Sequence, residues 1–377
     1  MPTFAATAQA RLATRLAFFA AGFSMACCAP LFPFIKDNVG ADERQFGLLL
    51  LCFGVGSLLA MPVAGLVAAR HGPRSMVLLG GLGLIVFLPA LTIAQTPFML
   101  AITLFLFGAA LGTIDVAMNL HGIVVEAQEK RSLMSSFHAQ FSIGGLFGAG
   151  LMTLLLSVGG SLTEAALVGA IITLAAIVPT IRRLLWVSTA QQNALVWPHG
   201  IVLLLGFLAA VMFLVEGAVL DWGALLIIDR QLVAPQNAGV GYILFSAAMV
   251  IARLTGDRIV GVVGELWVLI SGGVLTILGI AVILLSSLPF VALAGFVLIG
   301  LGAANLVPIF FSAAGRQNIM PPSLAIAAVT TAGYAGVLMG PAMIGFAADM
   351  MNLSMAFWWL TLLVALVPLS AYLVVKR

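Results

Sequence analysis

The polar side chains that interrupt the long apolar runs of this sequence are its candidates for chemistry. Asp115, Asn119, Gly122 and Glu126 follow i, i+4, i+7 and i+11, which places them in one stripe on one face of a helix. Further on, Glu216, Asp221 and Trp222 share one run and Asn305 and Pro308 another, while Gln140 and Tyr334 interrupt two more. A carboxyl group held away from water is a candidate for binding and releasing a proton. Amide, phenol and indole groups near it can hold a polar solute by hydrogen bonds.

What must position these residues follows from composition. The chain has 377 residues, of which 63% are hydrophobic and only 8% charged. A soluble domain carries about 25% charged residues, so a soluble chain this apolar could not cover its own surface. The mean hydropathy is +1.21. These values exclude a soluble enzyme, a nucleic-acid-binding protein and a disordered chain. What remains is a helical membrane protein, because lipid forces backbone groups to pair internally. No metal cluster, phosphate loop or nucleophilic triad is legible, so no enzyme activity and no cofactor are expected. His71 and His199 fall in loops, and His121 sits at membrane depth with no cysteine or histidine partner in pattern. Cys27, Cys28 and Cys52 lie in apolar runs and read as small packing side chains.

A spanning helix needs about 20 apolar residues. Breaks at charges, prolines and polar clusters give twelve runs, at roughly 13–35, 45–69, 75–94, 98–127, 133–158, 164–185, 200–228, 237–257, 266–287, 290–315, 323–348 and 354–375. The first reads as an uncleaved span rather than a signal peptide, because its apolar run is too long. The polar stretch 187–199 is the expected linker between halves 1–186 and 200–377. Most lysines and arginines sort to one set of span ends, among them Arg11, Arg15, Arg70, Arg74, Lys130 and Arg131, and later Arg182, Arg183, Arg258, Arg316, Lys376 and Arg377. Lys36, Arg44 and Arg230 lie at the opposite ends, so both termini and the linker are expected in the cytoplasm. Span four then runs inward, and Asp115, about 17 residues or roughly 25 Å along it, falls near the midplane.

The halves echo each other. Span four carries Phe107-Gly108-Ala109-Ala110-Leu111-Gly112 and span ten Ile299-Gly300-Leu301-Gly302-Ala303-Ala304-Asn305. Span five carries Gly144, Gly145 and Gly148, and span eleven Gly336 and Gly340. Two six-helix repeats joined by a linker are the layout of a carrier with its site between halves.

The stretch Gly65-Leu66-Val67-Ala68-Ala69-Arg70-His71-Gly72-Pro73-Arg74 resembles the G-x-L-a-D-r-x-G-r-k motif of the major facilitator superfamily, with Ala69 where the aspartate would stand. Arg253-Leu254-Thr255-Gly256-Asp257-Arg258 resembles the R-x-x-G-D-R form of the second half, which implies that Asp257 carries the latch instead. Gly112, Asp115 and Asn119 are similar to the fucose permease pattern. Val124-Val125-Glu126, Met134-Ser135-Ser136-Phe137-His138 and Glu216-Gly217-Ala218-Val219-Leu220-Asp221-Trp222 resemble bacterial YbjJ-type inner-membrane proteins. Relatives often carry tryptophan and arginine in span one where Cys28 and Leu31 stand here, ahead of Pro33-Phe34-Ile35-Lys36-Asp37. If that arginine holds an anion in relatives, this chain is not expected to copy their substrate.

The resemblance implies an all-α protein of twelve spanning helices and a proton-coupling role for Asp115; the alternative is a structural carboxyl. Glu216 is the second coupling candidate. Asn119, Gln140, Asp221, Trp222, Asn305 and Tyr334 are candidate substrate contacts. Trp222 reads either as a stacking face for a sugar ring or as an interfacial anchor. Arg70, Arg74, Glu126, His138, Arg253, Asp257 and Arg258 are assigned to a cytoplasmic gate, with Glu126 meeting His138 and Arg253 and Asp257 at ion-pair spacing. The expected activity is secondary transport of a small polar solute, a sugar or related metabolite, coupled to protons; the alternative is a drug or metabolite exporter. The expected partners are that solute and the lipid bilayer of a bacterial inner membrane. No nucleic acid is expected, and a monomer is.

Overall fold

The computed structural model describes residues 4–41, 43–185, 197–233 and 240–376. Among them are α1 (Phe4–Asn38), α2 (Glu43–His71), α3 (Pro73–Thr92), α4 (Pro97–Glu129), α5 (Met134–Ser157) and α6 (Leu162–Ile177), followed by a 3-10 turn at Val178–Thr180. The second half supplies α7 (Ile201–Asp229), α8 (Val240–Val263), α9 (Glu265–Leu285), α10 (Pro289–Ala303), α11 (Leu306–Arg316), α12 (Pro322–Met350) and α13 (Leu353–Val375). The described residues contain no strand. Among the described residues, eleven segments are long and apolar enough to cross a membrane, with α10 and α11 counted together as Pro289–Arg316. Helix α8, with Arg253, Asp257 and Arg258, is a further long helix of 24 residues. The twelve expected runs each correspond to one helical segment. Most of the expected linker, residues 186–196, lies outside the described residues.

Local sequence explains the boundaries. Thr96 caps α4 by accepting the Met99 N–H at 3.2 Å, and Pro97 occupies the first turn, where a missing N–H costs nothing. Ser161 and Glu164 form a reciprocal capping box at the start of α6. Helices α2 and α3 are joined by Gly72 alone and α8 and α9 by Gly264 alone, with φ of 75° and 86°. These left-handed conformations favour glycine, and the two joints occupy equivalent places in the two halves.

The chain divides into two compact units. The first holds residues 1–130, 137–198 and 320–331, and the second holds 131–136, 199–319 and 332–377. In the first unit α4 is the central helix, packed on α1, α2 and α3 and buried along nearly all of Phe107–Ile123. Its glycines make this possible: a Cβ at Gly108 would overlap the Phe53 carbonyl of α2, and one at Gly112 would stand 2.7 Å from the Ser57 carbonyl. Gly144 and Gly148 of α5 press in the same way on the Phe19 and Phe23 carbonyls of α1. The second unit repeats the scheme. Gly300 of α10 abuts the Phe245 carbonyl of α8, and Gly336 of α12 abuts the Ala210 carbonyl of α7. The glycine patterns shared by spans four and ten, and by spans five and eleven, therefore perform the same packing in each unit.

Gly108→Val should force α4 away from α2 and lower stability by about 1–3 kcal/mol, the usual cost of overpacking. Gly150→Ala, with nothing within 4 Å of the added methyl, should not lower the melting temperature of the detergent-solubilised protein and should raise it slightly, because alanine favours the helix over glycine.

Candidate functional site

In the first unit the site is built on α4. Asp115 is buried, with 7% of its surface exposed, and Asn119 is wholly enclosed one turn on. The Asn119 amide donates through Nδ2 to the Asp115 backbone carbonyl at 2.9 Å and reaches Asp115 Oδ1 at 3.5 Å. Its Oδ1 stands 3.2 Å from His138 Nε2 of α5. The backbone carbonyl can only accept, so the amide nitrogen faces Asp115 and the amide oxygen faces the imidazole. The His138 ring lies edge-on to Phe18 of α1, with centroids 5.1 Å apart.

The sequence suggested that His138 meets Glu126; the structure places its Nε2 on Asn119. The buried amide oxygen of Asn119 requires a donor, and the imidazole supplies it. Glu126 is half-buried and makes contacts of its own. Gln140 is about 200° around α5 from His138 and does not join this cluster.

His121, which the sequence left without a role, is fully buried and ties three segments together. Its Nε2 accepts the Leu185 backbone N–H at 2.9 Å, beyond the 3-10 turn. A backbone N–H can only donate, so Nε2 carries the lone pair and Nδ1–H donates to Thr14 Oγ1 of α1 at 2.9 Å. Thr14 in turn donates to the Ala10 carbonyl at 3.0 Å.

The motif at the end of α2 has a structural explanation. Gly65 lies against Ala327 and the Ser323 carbonyl at the start of α12. Ala69 is buried where the motif's aspartate would stand. Helix α12 opens on Pro322 after Pro321, and neither proline has an N–H to offer a carboxylate. Arg70 is exposed and Arg74 half-buried, each with interactions of its own. In the second unit the latch residue is present: Asp257 Oδ2 accepts the Ser136 N–H, in the first turn of α5, at 3.1 Å. A carboxylate suits the positive end of a helix dipole.

The second unit's site forms where span ten breaks. Pro308 has no N–H, so the carbonyl one turn earlier, Ala304, has no helical donor. Arg253 Nε takes it at 3.2 Å, and Arg253 Nη2 pairs with Glu216 Oε1 of α7 at 3.1 Å. The Arg253 side chain is 7% exposed and that of Glu216 22%. Arg253 was expected in a cytoplasmic gate beside Asp257. It braces the break and pairs with Glu216, and Asp257 accepts the Ser136 N–H. Glu216, expected as a coupling group, is the partner of Arg253 in this pair.

The remaining candidates divide. Asn305, expected as a solute contact, is buried at the break and donates to the Ala252 carbonyl at 3.2 Å. Its Oδ1 closes over Gly256, where any Cβ would overlap it, which explains that glycine of the second motif. Tyr334 stacks at a tilt beside Phe213, one turn from Glu216, with centroids 6.3 Å apart. Trp222 lays its ring edge over Gly345 of α12, and its Nε1 is buried without a hydrogen-bond partner. Asp221 and Arg258 are exposed, and Asp221 is about 140° around α7 from Glu216, outside the buried pair. Among the described residues no three histidine, cysteine or acidic side chains gather as metal ligands.

Residues 15–195 match the model of the Major Facilitator Superfamily. An uncharacterized MFS-type transporter of Yersinia pestis is 44% identical over 368 residues, 97% of this chain and 96% of that one. The uncharacterized transporter y4wD of Sinorhizobium fredii is 33% identical over 94% of this chain and 95% of its own. The multi-drug resistance efflux pump PmrA of Streptococcus pneumoniae is 24% identical over 42% of this chain and 41% of its own. Among solved structures, the human organic anion transporter TETRAN superposes with a TM-score of 0.82 at 14% identity, over 98% of this chain and 100% of that one. The E. coli fucose:proton symporter FucP superposes with 0.72 at 16% identity, over 97% and 98%. The proton:xylose symporter XylE superposes with 0.76 at 11% identity, over 98% and 96%.

The family match and the 44% identity with an MFS-type transporter over nearly the whole chain make this a multi-pass membrane transporter, not an enzyme. The chain belongs to the Major Facilitator Superfamily.

Removing Arg253 leaves a carboxylate facing an apolar interior. Arg253→Ala should destabilise the protein by on the order of 3 kcal/mol. Pairing Arg253→Met with Glu216→Leu should restore most of that loss in the same melting assay, because neither charge is then left alone.

Proposed function

We propose that this protein is a proton-coupled secondary active transporter that moves a small, neutral, polar solute, a sugar or related metabolite, by alternating access of its two halves. The observation that carries the reading is Asp115: a buried carboxyl in the central helix, set against an amide and an imidazole. Such a group can take up and release a proton, and a ligand or proton that binds one conformation better shifts the population toward it. The likeness of the fold to a fucose:proton and a proton:xylose symporter supports this assignment. The hydrogen-bonding character of the Asp115 cluster suits a hydroxylated solute better than an apolar one. The protein operates in a bacterial inner membrane with both termini in the cytoplasm, as a monomer, and draws on the proton gradient. A second reading, export of drugs or metabolites by the same proton cycle, is favoured by the partial identity with PmrA.

Thermal melting of the purified protein against neutral monosaccharides, sugar acids and lipophilic cations separates the readings. A ligand that binds the folded state raises the melting temperature by mass action. A neutral monosaccharide should stabilise the wild type in a pH-dependent manner, and Asp115→Asn should remove the pH dependence. Stabilisation by lipophilic cations alone would transfer the assignment to the exporter. An undiminished pH dependence in Asp115→Asn would remove Asp115 from the coupling step.

A further inference from the structure

Glu216 has one oxygen to spare. Its Oε1 pairs with Arg253 Nη2 at 3.1 Å, and its side chain remains 22% exposed. Among the described residues Oε2 takes no hydrogen bond, so it is the oxygen left open. The opening is turned away from lipid. Phe207 and Leu225, both exposed, lie nine residues before and after Glu216. Nine residues are about two and a half turns, which puts this apolar stripe on the opposite side of α7. Leu220, one turn beyond Glu216 and on its side of the helix, is also exposed and marks the approach.

Two rings stand beside this face. Phe213 lies one turn before Glu216 on the same side of α7. Its ring faces Tyr334 of α12, with centroids 6.3 Å apart and planes inclined by 56°. Gly333 makes the room, because a Cβ there would overlap the Phe213 ring. Both rings are half-buried, so part of each is open. Arg253 fixes the carboxyl group among them. Its Nε is anchored on the Ala304 carbonyl at 3.2 Å, and a guanidinium tied down at one end holds Glu216 in one orientation.

We propose that Glu216, Phe213 and Tyr334 form a solute-binding subsite within the second unit. Glu216 Oε2 accepts a hydrogen bond from one ring hydroxyl of a neutral monosaccharide, and the two aromatic rings cover its C–H face. Glu216 is thereby a recognition group, and proton coupling stays with Asp115. The chemistry discriminates among solutes. An open carboxylate oxygen requires a donor, which an anionic group lacks. A cation would stand beside Arg253, whose charge already balances the carboxylate. A hydroxyl donates without bringing a charge, and the apolar side of a sugar ring suits an aromatic face.

The subsite rests on the neutral-solute reading above, and thermal melting of the purified full-length protein tests the two separately. The probes are D-glucose, D-xylose, L-fucose and D-glucosamine, with the monodeoxy analogues of the neutral sugar that stabilises most. The variant is Arg253→Met with Glu216→Leu, which removes the acceptor without leaving a charge alone. If it does not fold, Glu216→Gln replaces it, because the amide puts a donor where Oε2 stood. The sugar concentration that gives half the full stabilisation should rise about tenfold or more in the variant, the usual loss for a hydrogen bond to a charged group. One monodeoxy analogue should lose a similar factor on the wild type and nothing further on the variant, because the partner of that hydroxyl is already gone. Tyr334→Leu should weaken the parent sugar and all its analogues alike. A wild type that tolerates every monodeoxy analogue, or a variant that still discriminates as the wild type does, would overturn the subsite and leave the neutral-solute reading standing. Stronger stabilisation by D-glucosamine than by the neutral sugars would overturn its selectivity. A wild type that no neutral sugar stabilises would overturn the reading, and the subsite with it.

Discussion

Lipid supplies no hydrogen bonds, and a polar group that enters this bundle is costly unless it finds a partner inside the protein. The consequences are clearest at Pro308. The proline removes one N–H, the removal strips the Ala304 carbonyl of its donor, and Arg253 is the group that answers. A guanidinium cannot stay buried alone, so Glu216 follows. One missing hydrogen thus sets a helix break, a cation and an anion across three helices. Asn305 completes the repair by returning its amide hydrogen to Ala252 of α8.

The same demand acts on the first half with different residues. Helix α4 is unbroken there, so its polar groups are side chains, not freed carbonyls. Asp115 and Asn119 satisfy one another within the helix, and the leftover amide oxygen recruits His138. Two acids that look alike in sequence are therefore unlike in kind. Glu216 is held by a permanent cation. Asp115 is held by an amide that leads to a titratable ring.

Much of the fold was legible in the sequence because membrane constraints are coarse. Runs of about 20 apolar residues had to be helices, and glycines spaced four apart, as at Gly108 and Gly112, had to mark close helix contacts. The matched joints at Gly72 and Gly264 were visible only in part: Gly72 was recognised through its motif, whereas Gly264 carries no motif and shows its role in its backbone angle alone. The site was less legible. Counting turns put Asp115 and Asn119 on one face of α4 but did not show that Asn119 meets His138 or that Arg253 meets Glu216. Both omissions share a cause. Spacing along one helix reports which residues share a face, not which neighbouring helix that face meets. Asn119 and Pro308 held the missing information. A buried amide always leaves an oxygen to satisfy, and a mid-span proline always frees a carbonyl one turn earlier.

The two copies of the loop motif carry this reasoning one step further. In the second half Asp257 takes the Ser136 N–H in the first turn of α5, where unpaired donors exist. In the first half Ala69 offers no carboxylate, and the two prolines at the start of α12 bring no N–H of their own. What remains at that place is steric: Gly65 admits Ala327 and Ser323 of α12 directly onto α2. A contact of that kind has no ionisable member. The motif copy at Asp257 retains a charge that can respond to its surroundings, and the copy at Ala69 has become plain packing.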